Sequence, residues 1–393
     1  MVDLLLAYDF PPMGGGIARW MAALALGYPP GMLVVSTGTL AGDATTDVAF
    51  PNRIDRIAVS SERLRTIGGL LRWSSRATQL ARSGPARFVW CDSVRPAGHV
   101  ARRLLASTDT PYGIIVHGGD LLTLEQRMRS GAFKRRQLRS VLQHAAVFVA
   151  NSHWTAQRCR QLFDAEGVPG LATRIRIVRL GTDPAQWQAT PDAVAGFRVR
   201  HGLPPGRWIV TVARLVAYKG VDTALRVVAA LAAEMPDVRY AVVGQGEQLA
   251  ELQAMAAALG IGDRVHWLTD ISDAELPGAY ALGEVYLGLT RETATDIEGF
   301  GISFLEAAAS GLPVVAAASG GIPDAVADGV TGVLVDPNSP ADAIAAVRQL
   351  LGDSTRARAM GAAGRERVTR QFTWARVVGE MRAIAGELGR SSG

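Results

Sequence analysis

Two cysteines, Cys91 and Cys159, are all that 393 residues contain, so neither a disulfide framework nor a cysteine-built metal cluster can organise the chain. Lysine is as scarce: Lys134 and Lys219 stand alone among 41 basic residues. A chain so biased toward arginine keeps lysine where a compact, mobile ammonium serves better than a planar fork, which singles out Lys219. No uninterrupted apolar run reaches the length that crosses a bilayer, and Pro29, Pro30 and Gly31 break the most apolar N-terminal stretch. Met1 is followed by Asp3 and a short strand pattern over 4–7, not by a basic segment and a cleavage site, so the expected compartment is the cytoplasm. No repeat of 20–50 residues is present.

What is present fits a soluble two-domain protein: the length suits two domains, and 48% hydrophobic residues can fill two cores. The charge is uneven. Residues 1–185 carry 23 Lys and Arg against 13 Asp and Glu, a balance of +10, whereas 186–393 carry 18 against 23, a balance of −5. Arg63, Arg65, Arg72, Arg76 and Arg82 fall in one candidate helix. Arg127, Arg129, Lys134, Arg135, Arg136 and Arg139 fall in a second, with Leu70, Leu71, Trp73, Met128 and Phe133 interleaved. Such a face is either simply solvated or docks on anionic lipid or an anionic acceptor. No nucleic-acid signature accompanies the charge, so nucleic acid is not an expected partner.

Strand and helix patterns alternate along the chain. Strands are expected at 4–7, 33–36, 87–91, 112–117 and 147–150, with helices near 62–82, 96–106 and 133–144 and a further helix opened by Asn151-Ser152-His153. After a strand near 175–180 and a proline-rich linker, a second series begins at 208–212. It runs through strands at 240–243, 265–268, 285–289, 314–317 and 333–335, and ends in helices at 340–351, 354–369 and 373–388. Alternation of this kind means parallel sheets covered by helices. The expected class is α/β, with two doubly wound domains, 1–184 and 185–372, facing across a cleft.

Residues 290–321 carry the densest chemistry. An apolar strand leads to Glu298-Gly299-Phe300-Gly301-Ile302, and Gly301 opens a helix that Gly311 closes. The N–H groups of Gly299, Phe300, Gly301 and Ile302 lack intrahelical partners, and the positive end of the helix dipole suits an anion such as a diphosphate. Glu306 lies roughly 7–8 Å further along the helix. Two carboxylates flanking a diphosphate match a nucleotide sugar, with sugar hydroxyls at one end and ribose hydroxyls at the other. A surface Glu298 and an ordinary helical Glu306 are the alternative. Arg214 and Lys219 follow the first strand of the second series and could close on the same diphosphate. Near the N-terminus Gly14, Gly15 and Gly16 form a strand–glycine–helix turn, which is not a dinucleotide fingerprint because Arg19 occupies the third glycine position. His117-Gly118-Gly119-Asp120 follows a buried strand, at the edge where open α/β sheets bind ligands.

Taken as a set, these segments resemble the GT-B retaining glycosyltransferases of family 4. The matching pieces are Arg214 with Lys219-Gly220-Val221-Asp222, Gly244-Gln245-Gly246, the Glu298-x7-Glu306 motif, Gly311-Leu312-Pro313, and Gly320-Gly321-Ile322-Pro323 through Gly332. They cover nearly all of 205–337, and the N-terminal half matches more thinly through Pro11-Pro12 to Gly16 and His117-Gly118. The stretch from Asp296 to Glu306 is most similar to actinobacterial phosphatidylinositol mannosyltransferases that use GDP-mannose.

The resemblance implies a GT-B fold whose tail helix (373–393) crosses back to the first, acceptor-side domain, while the second binds the donor. It implies a hexosyltransferase that moves sugar with retention from a nucleotide-diphospho-sugar, GDP-mannose or a UDP-hexose, to a hydroxyl acceptor such as a lipid or glycan. The implied roles are Arg214 and Lys219 on the diphosphate, Glu298 and the backbone of Gly299, Phe300, Gly301 and Ile302 on sugar and β-phosphate, and Glu306 on ribose. Ile271 would meet the base, Gly15 and Gly16 the donor, and His117 would lie near sugar and acceptor. The chain lacks the Asp-x-Asp pair that holds a diphosphate through a cation, so no metal and no prosthetic group are expected. A peripheral contact between the basic domain and the inner face of an anionic membrane is a further expectation. A GT-B epimerase or phosphorylase, or a sugar-binding protein without turnover, are the alternatives.

Overall fold

The computed structural model describes residues 2–84 and 86–389. Residues 390–393, the end of the expected tail segment, lie outside the described residues. The chain divides into two compact units, Met1–Leu180 with Trp374–Gly393, and Gly181–Thr373.

The first unit is built on seven strands: β1 (Val2–Leu6), β2 (Leu33–Thr39), β3 (Arg53–Ser60), β4 (Ala86–Cys91), β5 (Tyr112–Val116), β6 (Val147–Ala150) and β7 (Ile175–Ile177). All neighbours pair in parallel, in the order β3-β2-β1-β4-β5-β6-β7. Every residue of β5 and β6 is buried, as continuous apolar strands covered by helices on both faces require. Trp20, Trp73 and Trp90 are fully buried among them. The tail helix Trp374–Leu388 buries Val377, Val378, Met381 and Ala385, an i, i+4, i+8 stripe with one neighbour, and belongs to this unit.

β3 is absent from the sequence reading. Arg53, Asp55 and Arg56 break its apolar pattern, but Asp55 is buried with its carboxylate held by Arg53 at 2.7 Å and Arg76 at 2.6 Å. Pairing neutralises the charge that masks the strand pattern. The two basic stretches also differ from expectation. Arg63 and Arg65 sit in a short turn, Ser61–Arg65, and the helix Ile67–Ser83 begins only where Thr66 accepts from the Gly69 N–H. The second stretch divides into Gly118–Arg129 and Ala132–His144, separated by Ser130 and Gly131.

The second unit carries β8 (Arg207–Val212), β9 (Val238–Val243), β10 (Val265–Leu268), β11 (Val285–Gly288), β12 (Val314–Ala317) and β13 (Gly332–Val335), all parallel, ordered β10-β9-β8-β11-β12-β13. The linker and the end of the unit are tied together where the Thr182 N–H donates to the Phe372 carbonyl at 2.8 Å. In each sheet the strand order reverses once, between β1 and β4 and between β8 and β11. Crevices at the carboxyl ends of strands beside such a reversal are where doubly wound sheets take ligands.

Candidate active site

In the second unit the loops after β8 and β11 meet. Gly220 ends the turn that carries Lys219; its φ of +69° and a hypothetical Cβ only 1.8 Å from the Leu289 carbonyl oxygen exclude any other residue. That close approach brings Lys219 to the loop holding Glu298, and the Lys219 ammonium donates to Glu298 Oε2. Both side chains are largely shielded, at 15% and 13% exposure. Burial lowers the Lys219 pKa, but attraction to Glu298 and Tyr218 together outweighs it and the pKa ends above its ordinary value. Arg214 is exposed, with Nη2 3.2 Å from the Tyr218 hydroxyl, and the Tyr218 ring also lies 5.0 Å from the Lys219 ammonium.

The helix Ile302–Ala309 starts from Gly301, whose φ is +87° and whose hypothetical Cβ would strike Phe304 at 2.4 Å. The N–H groups of Gly299, Phe300, Gly301 and Ile302 donate to no acceptor among the described residues. The Gly321 N–H donates to the Glu298 carbonyl at 2.9 Å, which fixes the loop just before those donors. Two cations, one carboxylate and an open helix N-terminus therefore gather at the switch point of this sheet. Glu306, about one turn into the helix, is 2% exposed and accepts from the Tyr280 hydroxyl at 2.6 Å. Ile271 follows β10 in a loop that Gln245 ties down by donating to the Thr269 carbonyl at 2.7 Å.

In the first unit polar groups gather after β1, β4 and β5. Asp92, fully buried, accepts from the N–H groups of Tyr8 at 2.5 Å and Asp9 at 2.9 Å and from the Ser93 hydroxyl at 2.8 Å. Burial and then Asp9 push its carboxyl up to about 8. His117, 7% exposed, places Nε2 2.9 Å from the Asp92 carbonyl, and Trp20 stands edge-on to its ring. A carbonyl only accepts, so Nε2 carries the proton and Nδ1 presents a lone pair. Burial pushes the His117 pKa down to about 4 against the pull of the Asp92 carbonyl and Asp9, so the ring is neutral at pH 7. Asp120 has a buried Oδ2 with no partner among the described residues, and burial raises its carboxyl to about 6 against the pull of Arg65. Asp9 is raised by burial and by Asp120. The Arg65 guanidinium stacks over the Tyr8 ring at 4.0 Å. Gly15 and Gly16 open the next helix, Gly16–Gly27.

Asp9, Asp92 and Tyr280, which the structure sets beside His117 and Glu306, are not among the residues expected from sequence. A signal existed for Asp92, a lone acidic residue directly after an apolar strand; none existed for Tyr280. Among the described residues no group of three or more potential ligands could hold a metal ion.

Two doubly wound sheets, one with cations and open N–H groups at its switch point, form an arrangement suited to a phosphate-bearing ligand. The sequence family of glycosyl transferases group 1 matches residues 197–367, and glycosyltransferase family 4 matches 15–186. The GDP-mannose-dependent α-(1-6)-phosphatidylinositol monomannoside mannosyltransferase of Mycolicibacterium smegmatis is 33% identical over 94% of each chain. The D-inositol 3-phosphate glycosyltransferase of Salinispora tropica is 35% identical over 63% of this chain and 52% of its own. A crystal structure of Anabaena HepE in complex with UDP and glucose superposes with a TM-score of 0.79 at 19% identity, covering 98% of this chain and 99% of that one. The chain belongs to glycosyltransferase family 4 and has its GT-B fold. It is a hexosyltransferase that passes a glycosyl group to a hydroxyl acceptor.

Proposed function

We propose that this enzyme transfers mannose from GDP-mannose, with retention and without a metal ion, to a hydroxyl of an inositol-containing glycolipid headgroup. The observation that carries the donor half is the meeting of Lys219, Glu298 and the unbonded N–H groups of Gly299, Phe300, Gly301 and Ile302. Arg214, Lys219 and those N–H groups would hold the diphosphate and stabilise the charge that grows on the β-phosphate as it leaves. Glu298 would accept from the sugar hydroxyls, Glu306 from the ribose, and the Ile271 backbone would meet the base. Gly15 and Gly16 would let donor approach the first unit. Acceptor oxygen would bond to the anomeric carbon on the face that the phosphate leaves, and the leaving phosphate oxygen would take the acceptor proton. No protein nucleophile is required on that route. Support for the sugar and acceptor comes from the mycobacterial relative, whose name specifies GDP-mannose and a phosphatidylinositol mannoside.

The acceptor half rests on the first unit. His117 Nδ1 and the Asp9 and Asp120 carboxylates offer acceptors to a polyol, and Arg65 offers a cation to a phosphate. Phe133 is 74% exposed beside Lys134, Arg136 and Arg139, and Ile67 is 80% exposed near Arg63 and Arg72. An apolar tip among cations suits peripheral docking on an anionic membrane, on its cytoplasmic face.

A thermal-shift titration in EDTA tests the donor. A nucleotide at a hundred times its Kd should add about 2.7 kcal/mol of stability. GDP is expected to raise Tm and UDP to leave it; the reverse order would replace GDP-mannose by a UDP-hexose. Mannosyl transfer lost in EDTA and restored by Mg²⁺ or Mn²⁺ would refute the metal-free route. Equal co-sedimentation with phosphatidylinositol and phosphatidylcholine vesicles would remove the membrane contact.

A further inference from the structure

Tyr280 lies in the helix Leu276–Leu282 and is completely buried. Its hydroxyl reaches Glu306 Oε2 at 2.6 Å, a bond between residues 26 positions apart and both shielded from water. The phenol ring is fixed from two sides. Trp187 stands edge-on to it with centroids 5.4 Å apart, and the Tyr286 ring lies tilted at 5.9 Å. Each neighbour is itself tied. Trp187 donates its indole N–H to Thr182 Oγ1 at 2.6 Å, and the Tyr286 hydroxyl lies 2.9 Å from Ser303 Oγ on the same helix as Glu306. Tyr286 also meets Phe304 edge-on, at 5.4 Å. The phenol therefore has no free swing, and neither does the carboxylate oxygen it holds.

We propose that Tyr280 is a positioning residue for donor binding: its clamped hydroxyl orients the Glu306 carboxylate before the nucleotide arrives. The inference rests on the reading that Glu306 accepts from the ribose hydroxyls. Tyr280 itself does not touch the donor. Its contribution is pre-organisation, because a carboxylate already held in one orientation loses less freedom when the ribose binds. The charge-assisted bond also offsets the cost of keeping an acidic group among aromatic rings.

Tyr280→Phe removes one oxygen and keeps the ring, so its contacts with Trp187 and Tyr286 persist. The expected result is a rise of about ten-fold in donor KM, with kcat and acceptor KM within about two-fold of native. Combined with Glu306→Gln, the second change should add little to the first, since both act through one carboxylate. A purely structural phenol would instead lower Tm and the active fraction while leaving donor KM alone, which overturns the proposal. Native-like donor KM in Tyr280→Phe beside a raised KM in Glu306→Gln likewise defeats it and leaves the ribose reading intact. An unchanged KM in Glu306→Gln defeats the ribose reading itself. Should Tyr280→Phe fail to fold, Trp187→Phe loosens the clamp and leaves the phenol; it must raise donor KM selectively, and an unaltered donor KM there refutes the positioning role.

Discussion

Exchanging the charges of Lys219 and Glu298 one at a time separates their parts in donor binding. In the free protein the ammonium is already committed to Glu298, with both side chains mostly shielded. A diphosphate arriving at Lys219 must therefore share or displace that carboxylate. Lys219→Ala removes a charge-assisted hydrogen bond worth about 1.5–3 kcal/mol, or roughly 10–150-fold in the Kd for GDP. It also leaves Glu298 uncompensated beside the phosphate, which adds repulsion. Glu298→Gln has the opposite sign for the product nucleotide: the ammonium is released from the carboxylate, and GDP should bind at least as tightly as to native enzyme. The same variant should lose kcat, because the contact to the reacting sugar is gone. In the double variant the repulsion disappears, so GDP affinity should recover part of the loss seen in Lys219→Ala. Calorimetric titration with GDP and steady-state kinetics with GDP-mannose read both quantities. If Glu298→Gln weakens GDP as severely as Lys219→Ala, the carboxylate does not compete with phosphate and the arrangement is wrong. If Lys219→Ala leaves GDP affinity intact, the diphosphate lies elsewhere.

A donor with 2′-deoxyribose should bind native enzyme poorly yet lose little further affinity in Glu306→Gln; a deoxy penalty that vanishes in Glu298→Gln instead would place the donor backwards. His117 makes stability pH-dependent. Its folded pKa of about 4 lies below the ordinary 6.5, so its contribution is complete above pH 6.5 and is lost as pH falls from 6.5 toward 4. The slope from this group is at most about 1.4 kcal/mol per pH unit. Asp120, with its carboxyl raised to about 6, works the other way: its unfavourable contribution fades as pH falls through 6. The Tm of His117→Asn should accordingly fall less than that of native protein between pH 6.5 and 5, and parallel curves would show that the imidazole is not held neutral.

Much of this enzyme is written in local pattern. Apolar runs bounded by glycine and proline announced all the strands but β3, because a strand buried on both faces needs no polar alternation. Lys219-Gly220, Glu298-x7-Glu306 and Gly311 marked their loops and helix ends because left-handed or crowded backbone positions admit glycine alone. The conversion of charge into burial was not legible. β3 hid behind Arg53 and Asp55 because a charged residue looks exposed until its partner, here Arg76 from the helix Ile67–Ser83, is known. The joining of Lys219 to Glu298, 79 residues away, and of Asp9 to Asp92, 83 away, depends on strand order, which periodicity does not contain. Tyr280 is the extreme case. In sequence it is an apolar helix residue, and only the packing of its helix beside Glu306 brings its hydroxyl to that carboxylate. Residue types determined which chemistry was available; the order of strands in each sheet decided which groups could reach one another, because charge and hydrogen bonding act over a few ångströms whatever the separation along the chain.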